Sequence, residues 1–160
     1  RFSKGSLRTE LLGSLDELNS LLGLCKTKST EVVLGENSLS DTILEVQQNL
    51  FTIQAIVAGA PKELNEKKVE IMEAVIDAIE KELPPIKTFL IPGGTEVSAL
   101  FDYARAVSRR VERCAVRYGK GTELPQSVRQ YLNRLSSLLY AIVRFINKTA
   151  DAKEIPPSYS

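Results

Sequence analysis

FLIPGGTEVSALFDYARAVSRRVERCAVRY, residues Phe89–Tyr118, is the stretch whose reading decides the fold. An apolar approach leads into Pro92-Gly93-Gly94-Thr95, and the rest reads as one long helix. Thr95 suits the N-cap, and Glu96 sits in the first turn, where a carboxylate meets the positive end of the helix dipole. Val97, Leu100, Phe101, Ala104, Val107, Val111 and Ala115 recur at three- and four-residue spacing and predict a buried stripe. Beside that stripe Arg105, Arg109 and Arg113 recur every four residues, with Arg110 and Arg117 flanking them. Like charges four apart repel by a few tenths of a kcal/mol per pair, at about 0.2–0.5 kcal/mol. Five arginines in thirteen positions therefore need anions. Two sources fit: carboxylates on neighbouring helices, or a polyanionic ligand such as a nucleoside triphosphate, whose oxygens match the guanidinium fork two at a time.

Composition narrows the choice. The 160 residues are enough for one full core. Lys and Arg number 21 against 20 Asp and Glu, so the basic residues are a local concentration. That balance argues against nucleic-acid and membrane-surface binding. No apolar run approaches the roughly 20 residues of a membrane span. Cys25 and Cys114 lie far apart and outside any CxxC, which fits buried thiols in a reducing, cytoplasmic setting. Histidine is absent, which removes imidazole bases, nucleophile–histidine pairs and most zinc sites. Any chemistry must come from carboxylates, lysine, positioning or a co-substrate.

The remaining stretches read as four more helices. Leu7, Leu11, Leu15, Leu18, Leu22 and Cys25 line the first, with Asp16, Glu17 and Asn19 set among them. Asp and Asn are poor helix-interior residues, so either a carboxylate here has a partner or these positions form an exposed polar face. Lys26 to Ser38 read as a polar connection. The second helix is expected from about Ser40, capped there or at Asp41, to Ala58, with Ile43, Val46, Leu50, Ile53 and Val57 inward and Phe51 and Ile56 widening the stripe. Glu66 to Leu83 form the third, stopped by Pro84-Pro85. The arginine helix is fourth and closes at Gly119. Gly119-Lys120-Gly121-Thr122 follows a helix and lacks the spacing of a phosphate loop, so it is a helix end and turn. Pro125 to Lys148 form the fifth, and the Ile155-Pro156-Pro157 tail is either disordered or a docking strap. No period-2 strand pattern occurs. The fold class is all-α, a five-helix bundle forming a single domain over residues 1–160.

Five blocks, in order, carry a family likeness: GSLDELNS at 13–20, QNLFTI at 48–53, FLIPGGT at 89–95, RAVSRRVER at 105–113 and YLNRLS at 131–136. With these the chain resembles the PduO-type ATP:cob(I)alamin adenosyltransferases over nearly its whole length. The resemblance implies a homotrimer with an active site in each cleft between subunits. It implies transfer of the 5′-deoxyadenosyl group of ATP to the cobalt of reduced cobalamin, with release of triphosphate, assisted by Mg²⁺ and served by an electron-donating reductase. Carried over by position, Lys4, Arg109, Arg110, Glu112, Arg113 and Asn133 correspond to ATP contacts. Arg105 and Asp16 correspond to a pair that meets across the subunit boundary and supports catalysis with Arg109, and Phe89 to the aromatic residue beside the corrin. No resident metal ligand set is implied.

The likeness has departures. The family's Thr/Gly/Asp-rich phosphate-wrapping segment belongs upstream of the Arg1–Lys4 stretch, so the natural chain is expected to start earlier. Asp102 stands where the family usually has histidine, and Ser137 where it usually has aspartate. The competing class is a non-enzymatic helical interaction or regulatory protein of the same fold, its arginine row docking an acidic partner.

Overall fold

In the computed structural model, which describes residue 3 and residues 5–159, the chain forms five helices and one short hairpin. Helix α1 spans Leu7–Lys28, α2 Leu39–Ala58, α3 Lys67–Glu80, α4 Glu96–Gly119 and α5 Gln126–Thr149. Strands β1 (Val33–Leu34) and β2 (Asn37–Ser38) pair antiparallel, Val33 opposite Ser38 and Leu34 opposite Asn37. The connection after α1 is thus not strand-free as its polar sequence suggested. Two-residue strands are too short to show alternation, and Gly35, at φ +61°, turns the chain between them.

Side-chain caps set the helix starts. Ser6 accepts from the Thr9 amide at the head of α1. At α2 the cap is Ser38, not Ser40 or Asp41: its hydroxyl accepts from the Asp41 amide and donates to the Asp41 carboxylate at 2.6 Å. The stronger local signal came two residues earlier because the hairpin ends there. Thr95 caps α4 as expected, and Ser98 returns the bond to the Thr95 amide at 2.9 Å, completing a capping box. Gly59, left-handed at φ +95°, closes α2. Helix α3 is shorter than its periodicity suggested, and Pro125 stands just before α5 instead of inside its first turn.

Helix α1 packs between α2 and α4, and α5 between α4 and α3. Leu11, Leu15, Leu18 and Leu22 meet Ile43, Leu50 and Ile53 in a core that takes in Phe101, Val111, Leu135 and Ile142, all without solvent exposure. Asn19 and Gln47 exchange side-chain to backbone hydrogen bonds across α1 and α2, which makes a polar residue affordable among the leucines. Asn49 donates to the Tyr131 hydroxyl at 3.1 Å, tying α2 to α5. Two expected core residues lie outside: Leu7 is exposed at the start of α1, and Phe51 is 63% exposed on the outer side of α2. The tail is a strap. The Ile91 amide, in the loop between α3 and α4, donates to the Ile155 carbonyl at 2.8 Å.

Candidate functional site

The 3.6-residue repeat of α4 buries one side of it and leaves the arginines on the other. Their partners divide them. Arg110 pairs with Glu17 of α1, and Arg117 with Glu10 of α1 at 2.6 Å, while also donating to Cys114 Sγ at 3.3 Å. Both contacts hold the Arg117 guanidinium further toward its charged form. Arg105 donates through Nε to Asp102 Oδ1 at 2.7 Å and lies over the Tyr140 ring, 5.8 Å from its centroid. Arg109 and Arg113 are exposed, and neither has an ion pair or hydrogen bond among the described residues. The two readings of the arginine row therefore each describe part of it: carboxylates of α1 meet the flank, and two cations of the central row meet no anion among the described residues.

Next to these two cations stands the pair Glu112 and Asn133, Asn133 Nδ2 donating to Glu112 Oε1 at 2.8 Å from α5 to α4. Two open hollows border the row. One, of about 640 Å³, is lined by residues 86–90 of the α3–α4 loop, by Asp102, Arg105 and Arg109, and by Ser136, Ser137 and Tyr140 of α5. The other, of about 700 Å³, is lined by Arg110, Glu112, Arg113, Cys114, Val116 and Arg117. Phe89 projects at the first, on a connection and not in a helix, and is 78% exposed. A ring so exposed is not a packing residue of this chain. Burial pushes the Tyr140 phenol up, with Arg144 and Arg105 pulling it back.

The structure thus brings Arg105, Arg109, Arg110, Glu112, Arg113, Asn133 and Phe89 to one continuous side of the bundle. Asp16 is exposed on α1 with no ion pair among the described residues, and Lys4 lies outside the described residues. Asp102 and Tyr140 were not singled out as partners of Arg105. The i,i+3 spacing of Asp102 to Arg105 was a usable signal, whereas Tyr140 comes from another helix and had none.

Such a face, two unmatched cations beside an exposed aromatic, gains meaning from what the chain is similar to. The sequence pattern of cobalamin adenosyltransferases matches residues 1–146. The chain belongs to the cobalamin adenosyltransferase family. It is 36% identical over 151 residues to a corrinoid adenosyltransferase of Bacillus subtilis, covering 92% of this chain and 78% of that one. It is 35% identical over 152 residues to the corrinoid adenosyltransferase PduO of Salmonella typhimurium, covering 90% of this chain and 44% of that longer protein. Among solved structures, a single-substitution variant of the PduO-type ATP:corrinoid adenosyltransferase of Lactobacillus reuteri, complexed with cobalamin and ATP, superposes with a TM-score of 0.88. Identity there is 26%, and the match covers 98% of this chain and 88% of that one. The five-helix architecture of this adenosyltransferase is therefore that of its family, and an interaction module without enzymatic activity is set aside.

Proposed function

We propose that the outer face of α4 holds ATP and a reduced corrinoid side by side, and that the chain transfers the 5′-deoxyadenosyl group of ATP to the cobalt of cob(I)alamin. The observation that carries this reading is the pair Arg109 and Arg113, exposed cations with no anion against them among the described residues, beside Asn133 and Glu112. In the reaction the reduced cobalt attacks the 5′ carbon, the carbon–oxygen bond breaks, and triphosphate leaves with the electron pair. No protein base is required, which suits a chain without histidine. The protein's work is orientation and neutralisation of the departing charge. Arg109 and Arg113 bind phosphate oxygens, and Lys4 and Asn133 add donors. Glu112 fixes the Asn133 amide. Arg110 reaches the nucleotide by leaving Glu17, a half-exposed pair of the kind worth at most about 1 kcal/mol.

Among the described residues no cluster of three or more His, Cys, Asp or Glu side chains could cage a metal ion. The residues present fit a Mg²⁺ that arrives on the phosphates, with Glu112 as the adjacent carboxylate, since Mg²⁺ takes one or two carboxylates plus substrate oxygens. It would supply further charge neutralisation there. Phe89 covers the corrin. Two partnerships and a location complete the proposal: a homotrimer in which Asp16 of one subunit meets Arg105 of the next, an electron-donating reductase, and a cytoplasmic setting. The two free, buried cysteines support the last, burial pushing the Cys25 thiol up to about 11. No helix among the described residues is long and apolar enough to cross a membrane.

Titration calorimetry with ATP, followed by the absorbance change from cob(I)alamin to adenosylcobalamin, tests the proposal. Binding that inorganic triphosphate displaces, with transfer, is expected. Absence of both would overturn it.

A further inference from the structure

The last two turns of α5 carry a feature that the reaction chemistry does not use. Arg144 is only 6% exposed, an unusual place for a guanidinium. Its Nη1 donates to the Pro84 carbonyl at 2.9 Å, and its Nε to Glu154 Oε2 of the tail at 3.3 Å. Neighbouring positions on the same helix repeat the pattern. Lys148 donates to the Glu82 carbonyl, and the Asn147 carbonyl accepts from the Ala152 amide at 2.8 Å, turning the tail back at Asp151, whose φ is +52°. The tail then meets the far end of the loop through Ile155 and Ile91. Between Pro84 and Ile91, residues 85–90 make no backbone–backbone hydrogen bond among the described residues. The loop is therefore held at its two ends and free in the middle, where Phe89 stands.

We propose that Arg144 is a positioning residue for the corrin side of the site, its fork locking the α3–α4 loop to the C-terminal tail and so setting where Phe89 stands in the hollow that Arg105 and Tyr140 also line. The proposal rests on the reading of Phe89 as the group that covers the corrin. Its physics is that of a segment fixed at both ends: release of one end multiplies the conformations open to residues 85–90, and that entropy must then be removed again when the corrinoid binds. Arginine is required because both partners need simultaneous, diverging N–H donors, which one ammonium cannot aim equally well. Burial makes the contact selective, since a stranded guanidinium would find neither water nor anion. Tyr140, one turn before Arg144 on α5, feels the same charge and lines the hollow.

Two variants test it: Arg144→Lys, and a chain ending at Lys153, which leaves Arg144 in place and removes Glu154 and Ile155. Amide hydrogen exchange across residues 85–91, without substrates, should rise in both. The KM for cob(I)alamin should rise about tenfold, the equivalent of one charge-assisted hydrogen bond, while the KM for ATP holds. Unchanged exchange would overturn the proposal, as would equal movement of both KM values. If Arg144→Lys does not fold, the shortened chain gives the answer alone. A wild-type chain that transfers no adenosyl group would refute the functional reading instead, and exchange would still decide the anchor.

Discussion

At the scale of single residues, the unmatched arginines carry the clearest expectation. Arg109→Ala removes a cation with no partner among the described residues, so the melting temperature should stay within a degree or two while ATP affinity falls. A charge-assisted hydrogen bond to phosphate is worth about 1.5–3 kcal/mol, or roughly ten- to a hundredfold. Calorimetry alongside a thermal scan measures both, and a lowered melting temperature with unchanged affinity would restore a purely structural role. Phe89 is open to a comparable separation. With 78% of it exposed, Phe89→Ala loses little packing, and the variant should fold and bind ATP. It should form adenosylcobalamin slowly from Co(II) but much less slowly from Co(I) supplied ready-made. An apolar ring against the lower corrin face excludes water and a lower axial ligand, which makes Co(II) easier to reduce. Equal losses in the two assays would reduce Phe89 to a generic contact.

Among the elements, the loop between α3 and α4 shows how tightly an irregular connection can be specified. A Cβ on Gly94 would lie 2.3 Å from Asn147 Oδ1, so this is a glycine of close approach. Gly94→Ala should destabilise by about 1–3 kcal/mol, and Asn147→Ala in the same chain should recover part of the loss, as read by chemical denaturation of the four proteins in the cycle. Additive losses would mean that the two residues do not press on one another. The helices themselves were legible in the sequence because each repeats its apolar spacing over several turns, and Thr95 and Gly59 punctuate them with side chains and φ values of known use. The hairpin was not legible, since Val33–Leu34 and Asn37–Ser38 are too short to alternate. Phe51 misled because hydrophobicity says that a ring prefers burial, whereas its place on the outer side of α2 follows from where α1 packs. The arginine row was legible as a row. Which members find carboxylates depends on Glu10 and Glu17, about 100 residues away along the chain, and no local spacing reports that.

For the molecule as a whole, assembly is the open dimension. Arg105 already has an in-chain carboxylate in Asp102, so an incoming Asp16 would make a three-member cluster and not a simple pair. Asp16→Asn should accordingly weaken association without unfolding the subunit. Sedimentation over a concentration series should show trimer in the parent and smaller species in the variant. Identical trimers in both would remove Asp16 from the interface. The loop offers a readout of a different kind. Lys87 lies exposed in the stretch that has no backbone–backbone hydrogen bond among the described residues, between anchors on either side. Such a site is the natural target of a protease that cuts after lysine, because the chain there can be drawn out into an active-site cleft without disturbing a helix. Brief trypsin treatment should nick the protein first at Lys87, giving two fragments that stay together on a gel-filtration column. Corrinoid seated under Phe89 should slow that nick and ATP alone should not, so the cleavage rate at one peptide bond becomes a footprint of which substrate has arrived.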